Sequence, residues 1–133
     1  GKRNAELSGL SDNKIRWICD DVTKFMTREV KRGNQYDGII LDPPAFGRGD
    51  KKDWKIERDL PELMELLPKL LTDKPLFVIL TCHAPDQFTA GDLGRMLEAI
   101  PQFSGTKPEH LTLEIPSEKG NPLVSSFGAR ISL

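Results

Sequence analysis

Apolar residues recur along this chain with two alternating periods. In "DDVTKFMTREVKRG" (20–33), Val22, Phe25, Met26 and Val30 fall on one helical face; this predicts a helix that Asp21 caps and Gly33 closes. In "DLPELMELLPKLL" (59–71), a stripe from Leu60 to Leu71 predicts a second helix. Asp59 and Glu62 resemble a capping box there, and Pro68 is expected to kink or shorten the helix. "TAGDLGRMLEAI" (89–100) predicts a third, with Thr89 and Asp92 at its start. Residues 1–9 read as the end of a helix, with Gly9 suited to a left-handed cap.

Between these segments lie runs rich in β-formers. "KIRWIC" (14–19), "YDGIILD" (36–42) and "PLFVILTC" (75–82) predict strands, the last apolar on both faces. "HLTLEIP" (110–116) and "SSFGARISL" (125–133) predict a closing antiparallel pair joined by the turn "SEKGNP". Residues 47–58 have no period and are expected to be a surface loop. Strands alternating with helices, and apolar on both sides, argue for an α/β fold with a parallel sheet covered on both faces. Ligands of such sheets sit beyond the carboxyl ends of the strands. Three polar strand ends are then expected along one rim: Cys19-Asp20-Asp21, Asp42-Pro43-Pro44 and Thr81-Cys82-His83.

Composition narrows the class. The 133 residues suffice for one domain, and 38% hydrophobic with 29% charged residues is a globular balance. Nineteen basic against 20 acidic residues leave a net charge of -1, so charge alone does not mark a nucleic-acid binder. No apolar run reaches the ~20 residues that cross a bilayer, and no signal-peptide pattern opens the chain. Cys19 and Cys82 are far apart, a usage that fits a reducing cytosol, and with His83 and His110 they offer no zinc spacing. A cytoplasmic protein without metal or membrane partner is expected. There is no internal repeat and no linker.

The candidate chemistry begins at "YDGIILDPPAFGRG" (36–49), where a strand stops on a carboxylate and meets two prolines. Neither proline has an N–H, and both hold φ near about -65°. The carbonyls of Asp42 and Pro43 are expected to face outward as acceptors, with the Asp42 carboxylate beside them and the Phe46 ring adjacent. Acceptors beside a flat apolar surface suit a planar, donor-bearing ligand such as a nucleobase. The plainer alternative is that Asp42 caps a turn and the prolines end the strand.

"DPPAF" after a buried strand resembles the fourth motif of class I methyltransferases that use S-adenosylmethionine. The stretch from "NAELSGL" through "ICDDV" to "DPPAFGRG", the "WKIE" loop, the leucine-rich helix, "FVILTCH" and "GARISL" are similar to the bacterial ribosomal RNA cytosine-C5 methyltransferase group. The resemblance implies a Rossmann-like three-layer sheet, mainly parallel with an antiparallel carboxyl-terminal strand. It also implies an incomplete one. The family's first two strands, its glycine-rich cofactor loop and its ribose-binding acid have no counterpart here, and "GRG" (47–49) is no substitute. Residues 1–133 are then expected to be the carboxyl-terminal two-thirds of one catalytic domain. The missing strands would separate "KIRWIC" from "YDGIILD", so the sheet must close that gap or leave strand edges bare.

The same resemblance assigns roles. Asp20, Asp21, Val22 and Asp42 are expected to contact S-adenosylmethionine, with Asp21 near the adenine amine; alternatively, Asp21 only caps its helix. Asp42 is expected at the methyl-transfer point. Cys82 matches the family's nucleophile, whose thiolate adds to carbon 6 of cytosine so that carbon 5 can attack the methyl group. The plainer alternative is a buried small apolar residue. His83 is adjacent and points to the opposite side, so no Cys-His dyad is expected; Cys19 is expected in the core. Pro43, Pro44, Phe46, Arg48 and Trp54 are expected to bind substrate, Arg48 and Trp54 within a basic loop with Lys51, Lys52, Lys55 and Arg58. That loop also carries Asp50, Asp53 and Glu57, and a solvated loop with Trp54 packed on the domain is the alternative. RNA, ribosomal by resemblance, is the expected partner. An amino-group methyltransferase with Cys82 idle and a non-catalytic binding module are the competing functions.

Overall fold

The computed structural model describes residues 1–48, 52–84 and 86–133. In chain order the helices are α1 (Lys2–Leu7), α2 (Val22–Arg32), α3 (Ile56–Leu70) and α4 (Ala90–Glu98), with a short 3-10 helix at Pro101–Phe103. The strands are β1 (Gly38–Leu41), β2 (Phe46–Gly47), β3 (Trp54–Lys55), β4 (Phe77–Cys82), β5 (Glu109–Ile115) and β6 (Leu123–Ser132). Four of them form one sheet in the order β1-β4-β6-β5. β1 runs parallel to β4, with Gly38 opposite Phe77 and Leu41 opposite Leu80, and α3 makes the crossover. β6 is antiparallel to both β4 and β5.

The helix caps follow the sequence. Asp21 accepts the Lys24 amide at 2.9 Å, and Gly33 closes α2 at φ 69°. Thr89 and Asp92 form a full capping box at the start of α4. α2 is tied to the strand entry by one buried carboxylate. Glu29 accepts from the Tyr36 hydroxyl at 2.5 Å, from Asn34 at 2.8 Å and from Arg32 at 2.9 Å. Those donors, the Tyr36 hydroxyl first, hold its carboxyl down to about 2 against the opposing effect of burial. Tyr36 bridges to Leu71, so this network also sets where β1 begins.

The core is one cluster in which α3 (Leu60, Leu63, Leu67) and α4 (Leu93, Leu97) meet Val78, Leu80 and Cys82 of β4 and Ala129 and Ile131 of β6. Met26 of α2 joins the same cluster. α2, α3 and α4 therefore serve one face of the sheet. On the other face Gly38, Phe77, Ile79 and Thr81 are half-buried, and Ile40 is 65% exposed.

Several expectations need correction. Residues 14–19 are not a strand: among the described residues they have no pairing partner, and Ile15, Trp17 and Ile18 stay exposed. An extended segment becomes a strand only when a neighbour takes its N–H and C=O groups. Without it the sheet is not mainly parallel, since one of its three pairings is parallel and two are antiparallel. Nor do the described residues make three layers, because helices cover one face. Cys19, expected in the core, is exposed within the same unpaired segment. The loop expected at 47–58 is instead the ribbon β2–β3 followed by the first turn of α3. Gly49, Asp50 and Lys51 of that loop, and Pro85, lie outside the described residues. Asp59 does not cap α3, which starts three residues earlier at Ile56. Its carboxylate turns back to the Lys55 amide at 2.8 Å and also holds Lys52 and Arg58. α3 runs on through Pro61 and Pro68 to Leu70.

Candidate cofactor and substrate site

Asp42 follows the last residue of β1, and the parallel register sets Thr81 beside it. The Thr81 hydroxyl donates to Asp42 Oδ1, and His83 Nε2 lies 3.6 Å from the same oxygen. Thr81 and His83 are two residues apart, so strand alternation turns both toward Asp42 and turns Cys82 away. The Asp42 carboxylate is mostly exposed, so it can meet a ligand and still be oriented by its neighbours.

The prolines are shaped by the ribbon. Trp54 of β3 donates its indole N–H to the Pro44 carbonyl at 2.7 Å, and the Ile56 amide donates to the Ala45 carbonyl at 3.1 Å. These bonds hold the Asp42-Pro43-Pro44 lip open as a rigid edge. Between the lip and the start of α2 lies a cavity of about 280 Å³, lined by Val22, Asp42, Pro43, Pro44 and Trp54 over a floor of Ile40, Leu41 and Leu63. A second hollow of about 400 Å³ shares Val22 with it and is walled by Trp17, Ile18 and Phe25, with Arg16 and Asp20 as its charged residues. Apolar walls with carboxylates at the mouth suit flat heteroaromatic groups that carry N–H donors.

The structure thus brings together Val22, Asp42, Pro43, Pro44 and Trp54, and places Asp20 in the adjoining hollow. Asp20 already pairs with Arg28, which lowers its carboxyl pKa, and it accepts the Asp21 amide at 2.8 Å. One oxygen of Asp21 is engaged in capping α2. Phe46 and Arg48 are exposed on the ribbon and line neither cavity. Cys82 is fully buried in the core cluster, and burial, with the Asp42 charge adding, pushes its thiol pKa up. Thr81 and His83 are the site residues that sequence reasoning missed. The signal was present: period-2 alternation through "TCH" puts them on the Asp42 side whenever Cys82 is inside.

This geometry can be set beside known proteins. No family model matches the chain. Its similarity to a solved structure, the SAM dependent methyltransferase from Agrobacterium tumefaciens, is 30% identity at a TM-score of 0.84, covering 98% of this chain and 44% of that one. The fold is shared with S-adenosylmethionine-dependent methyltransferases. SMU.776, solved as a complex with SAH, is 20% identical with a TM-score of 0.71 over 98% of this chain and 35% of its own, a likeness of fold alone. Among curated proteins, ribosomal RNA large subunit methyltransferase I of Klebsiella pneumoniae (strain 342) is 28% identical over 111 residues, 77% of this chain and 28% of that protein. Ribosomal RNA large subunit methyltransferase K of Neisseria meningitidis serogroup B is 25% identical over 124 residues, 86% of this chain and 34% of that protein. The chain therefore spans about a third of the length of these curated relatives. Among the described residues no helix is long and apolar enough to cross a membrane, and no group of His, Cys, Asp and Glu is arranged to hold a metal ion.

Proposed function

We propose that this chain is the carboxyl-terminal part of the catalytic domain of a cytoplasmic S-adenosylmethionine-dependent methyltransferase that modifies a base in ribosomal RNA. The observation that carries the reading is the cavity in which the start of α2 and the Asp42-Pro43-Pro44 lip face each other, with Trp54 closing one side. The names of the relatives support RNA as the substrate class.

S-adenosylmethionine supplies a methyl group already activated by its positive sulfur. The residues here have to align donor and acceptor, a contribution that can reach roughly 7–11 kcal/mol. The second hollow would hold the adenine: Val22 and Phe25 would pack on it, and Asp20 in the lining, or Asp21 next to it in the chain, would accept from its amine. Asp42, held by Thr81, accepts an N–H from the target base at the lip. Pro43 and Pro44 present no competing donors, and Phe46 and Arg48 on the ribbon offer stacking and phosphate contact to the flanking strand. The decisive measurement is methyl transfer to ribosomal RNA by the intact protein. Asp42→Asn should reduce turnover at least about a hundredfold through misalignment, with the fold unchanged. Wild-type protein that binds RNA but never transfers a methyl group would leave the non-catalytic binding module instead. Residues 1–133 alone should bind the cofactor weakly by calorimetry, since the glycine-rich loop and the ribose-binding acid are not in this sequence.

Two acceptor atoms separate at Cys82. Methylation of cytosine C5 needs its thiolate on carbon 6. An exocyclic amine needs no thiol, and the burial of Cys82 in the core favours this second target. Unchanged turnover in Cys82→Ala would exclude thiol addition; loss of turnover with the fold intact would restore the C5 reading.

A further inference from the structure

We propose that the outer edge of β5 is a self-association surface, through which two copies of this chain pair their β5 strands antiparallel about Thr112. Among the described residues β5 ends the sheet, and β6 alone pairs with it. Its outward N–H and C=O groups form a row open to another strand. Natural edge strands guard against such pairing with charged side chains, lysine above all, and with bulges or prolines. β5 has no lysine, bulge or proline within its seven residues, "EHLTLEI", and its charged residues are Glu109 and Glu114. The register slip in the β5–β6 ladder inserts its extra residue, Ser125, on β6, so β5 itself runs uninterrupted. Pro108 and Pro116 bracket the strand and limit how far a ladder could extend.

The sequence of β5 complements itself when reversed. Centred on Thr112, His110 faces Glu114 of the partner subunit, Leu111 faces the partner's Leu113, and Thr112 faces its own copy. Among the described residues neither the His110 nor the Glu114 side chain has a hydrogen-bond or ion-pair partner, whereas Glu109 is already engaged by Arg130 at 2.7 Å. The competing registers are poorer. A pair centred between two residues is excluded, because residues directly opposed in an antiparallel pair must share a face. Centring the pair on Leu111 or Leu113 shortens the ladder and leaves His110 or Glu114 opposite a threonine.

The apolar face supplies the area. Leu111, Leu113 and Ile115 alternate onto one side of β5, and Leu113 and Ile115 are 44% and 54% exposed. Leu123 of β6, opposite Ile115 in the ladder, is also exposed on this side. Pairing brings both copies of Leu111 and Leu113 into contact and joins the two sheets into one continuous sheet. The occupant is a second copy because the three central pairings, His110 with Glu114, Leu111 with Leu113 and Thr112 with itself, are all supplied by the same strand.

Sedimentation over a concentration series tests this, with engineered cross-linking to fix the register. In a Cys19→Ser background, Thr112→Cys should form an intermolecular disulfide, because directly opposed residues hold their Cβ atoms about 4.5–5.5 Å apart. Lys119→Cys, at the exposed hairpin tip, should not. Leu113→Lys should weaken association about tenfold or more, with circular dichroism unchanged because Leu113 is exposed in the single copy. A monomer throughout the series overturns the proposal. So does a dimer indifferent to Leu113→Lys, or cross-linking no faster at position 112 than at 119; these would place any association elsewhere, including the bare edge of β1.

Discussion

The two faces of the four-stranded sheet carry similar residues in different surroundings. On β4, Val78, Leu80 and Cys82 are fully buried beneath α3 and α4, while Phe77, Ile79 and Thr81 remain half-buried on the other side. Across the parallel pairing, Leu41 is buried and its neighbour Ile40 is 65% exposed. Hydrophobicity marks a residue as suited to burial; coverage by another element is what removes it from water. The same contrast separates the site residues. Thr81 and His83 reach Asp42 from the open face, and Cys82, between them in sequence, is sealed on the closed one.

The contrast can be broken by mutation. The largest effect is expected on the closed face: Leu80→Ala should cost about 2–5 kcal/mol in urea unfolding, from lost transfer energy and the cavity left behind. A cost under about 1 kcal/mol would mean that α3 and α4 do not pack there as described. Thiol labelling sharpens the comparison at the site. Cys19 should react with an aromatic disulfide in the folded protein, and Cys82 should react at least about a hundredfold more slowly, limited by opening of the core. Equal rates would put Cys82 at the surface and strengthen the nucleophile reading. At the lip, Trp54→Phe removes the hydrogen bond to the Pro44 carbonyl and should cost about 0.5–1.5 kcal/mol. The smallest effect belongs to the open face, where Ile40→Ala should change stability by no more than about 0.5 kcal/mol. A loss like that of Leu80→Ala would show that Ile40 is covered in solution.

Local chemistry was readable wherever it closes within a few residues. Asp21, Gly33, Thr89 and Asp92 occupy the cap positions their residue types predict, because a cap needs only its own turn of helix. The antiparallel pairing of β5 with β6 was readable for the same reason, through the turn between them. Reading failed where partners lie far off in sequence. Residues 14–19 have strand composition and no strand beside them. Asp59 looked like a cap, yet the start of α3 is decided by the Ala45 carbonyl and by the ribbon that brings Lys52 to it. The candidate site divides along the same line. The Asp42-Pro43-Pro44 lip was visible as a motif, while the floor of its cavity comes from β1 and α3 and the His83–Asp42 approach from pairing across β1 and β4.

What the amino-acid order alone determined is the four helices, the four strands of the main sheet, the caps of α2 and α4, the parity of residues along each strand and the carboxylate that follows β1, all set by sterics and hydrogen bonding within a few residues. Tertiary structure decided which parity is buried, which edges stay unpaired and which carboxylate meets which donor. Burial and pairing are relations between distant segments, and no segment carries them by itself.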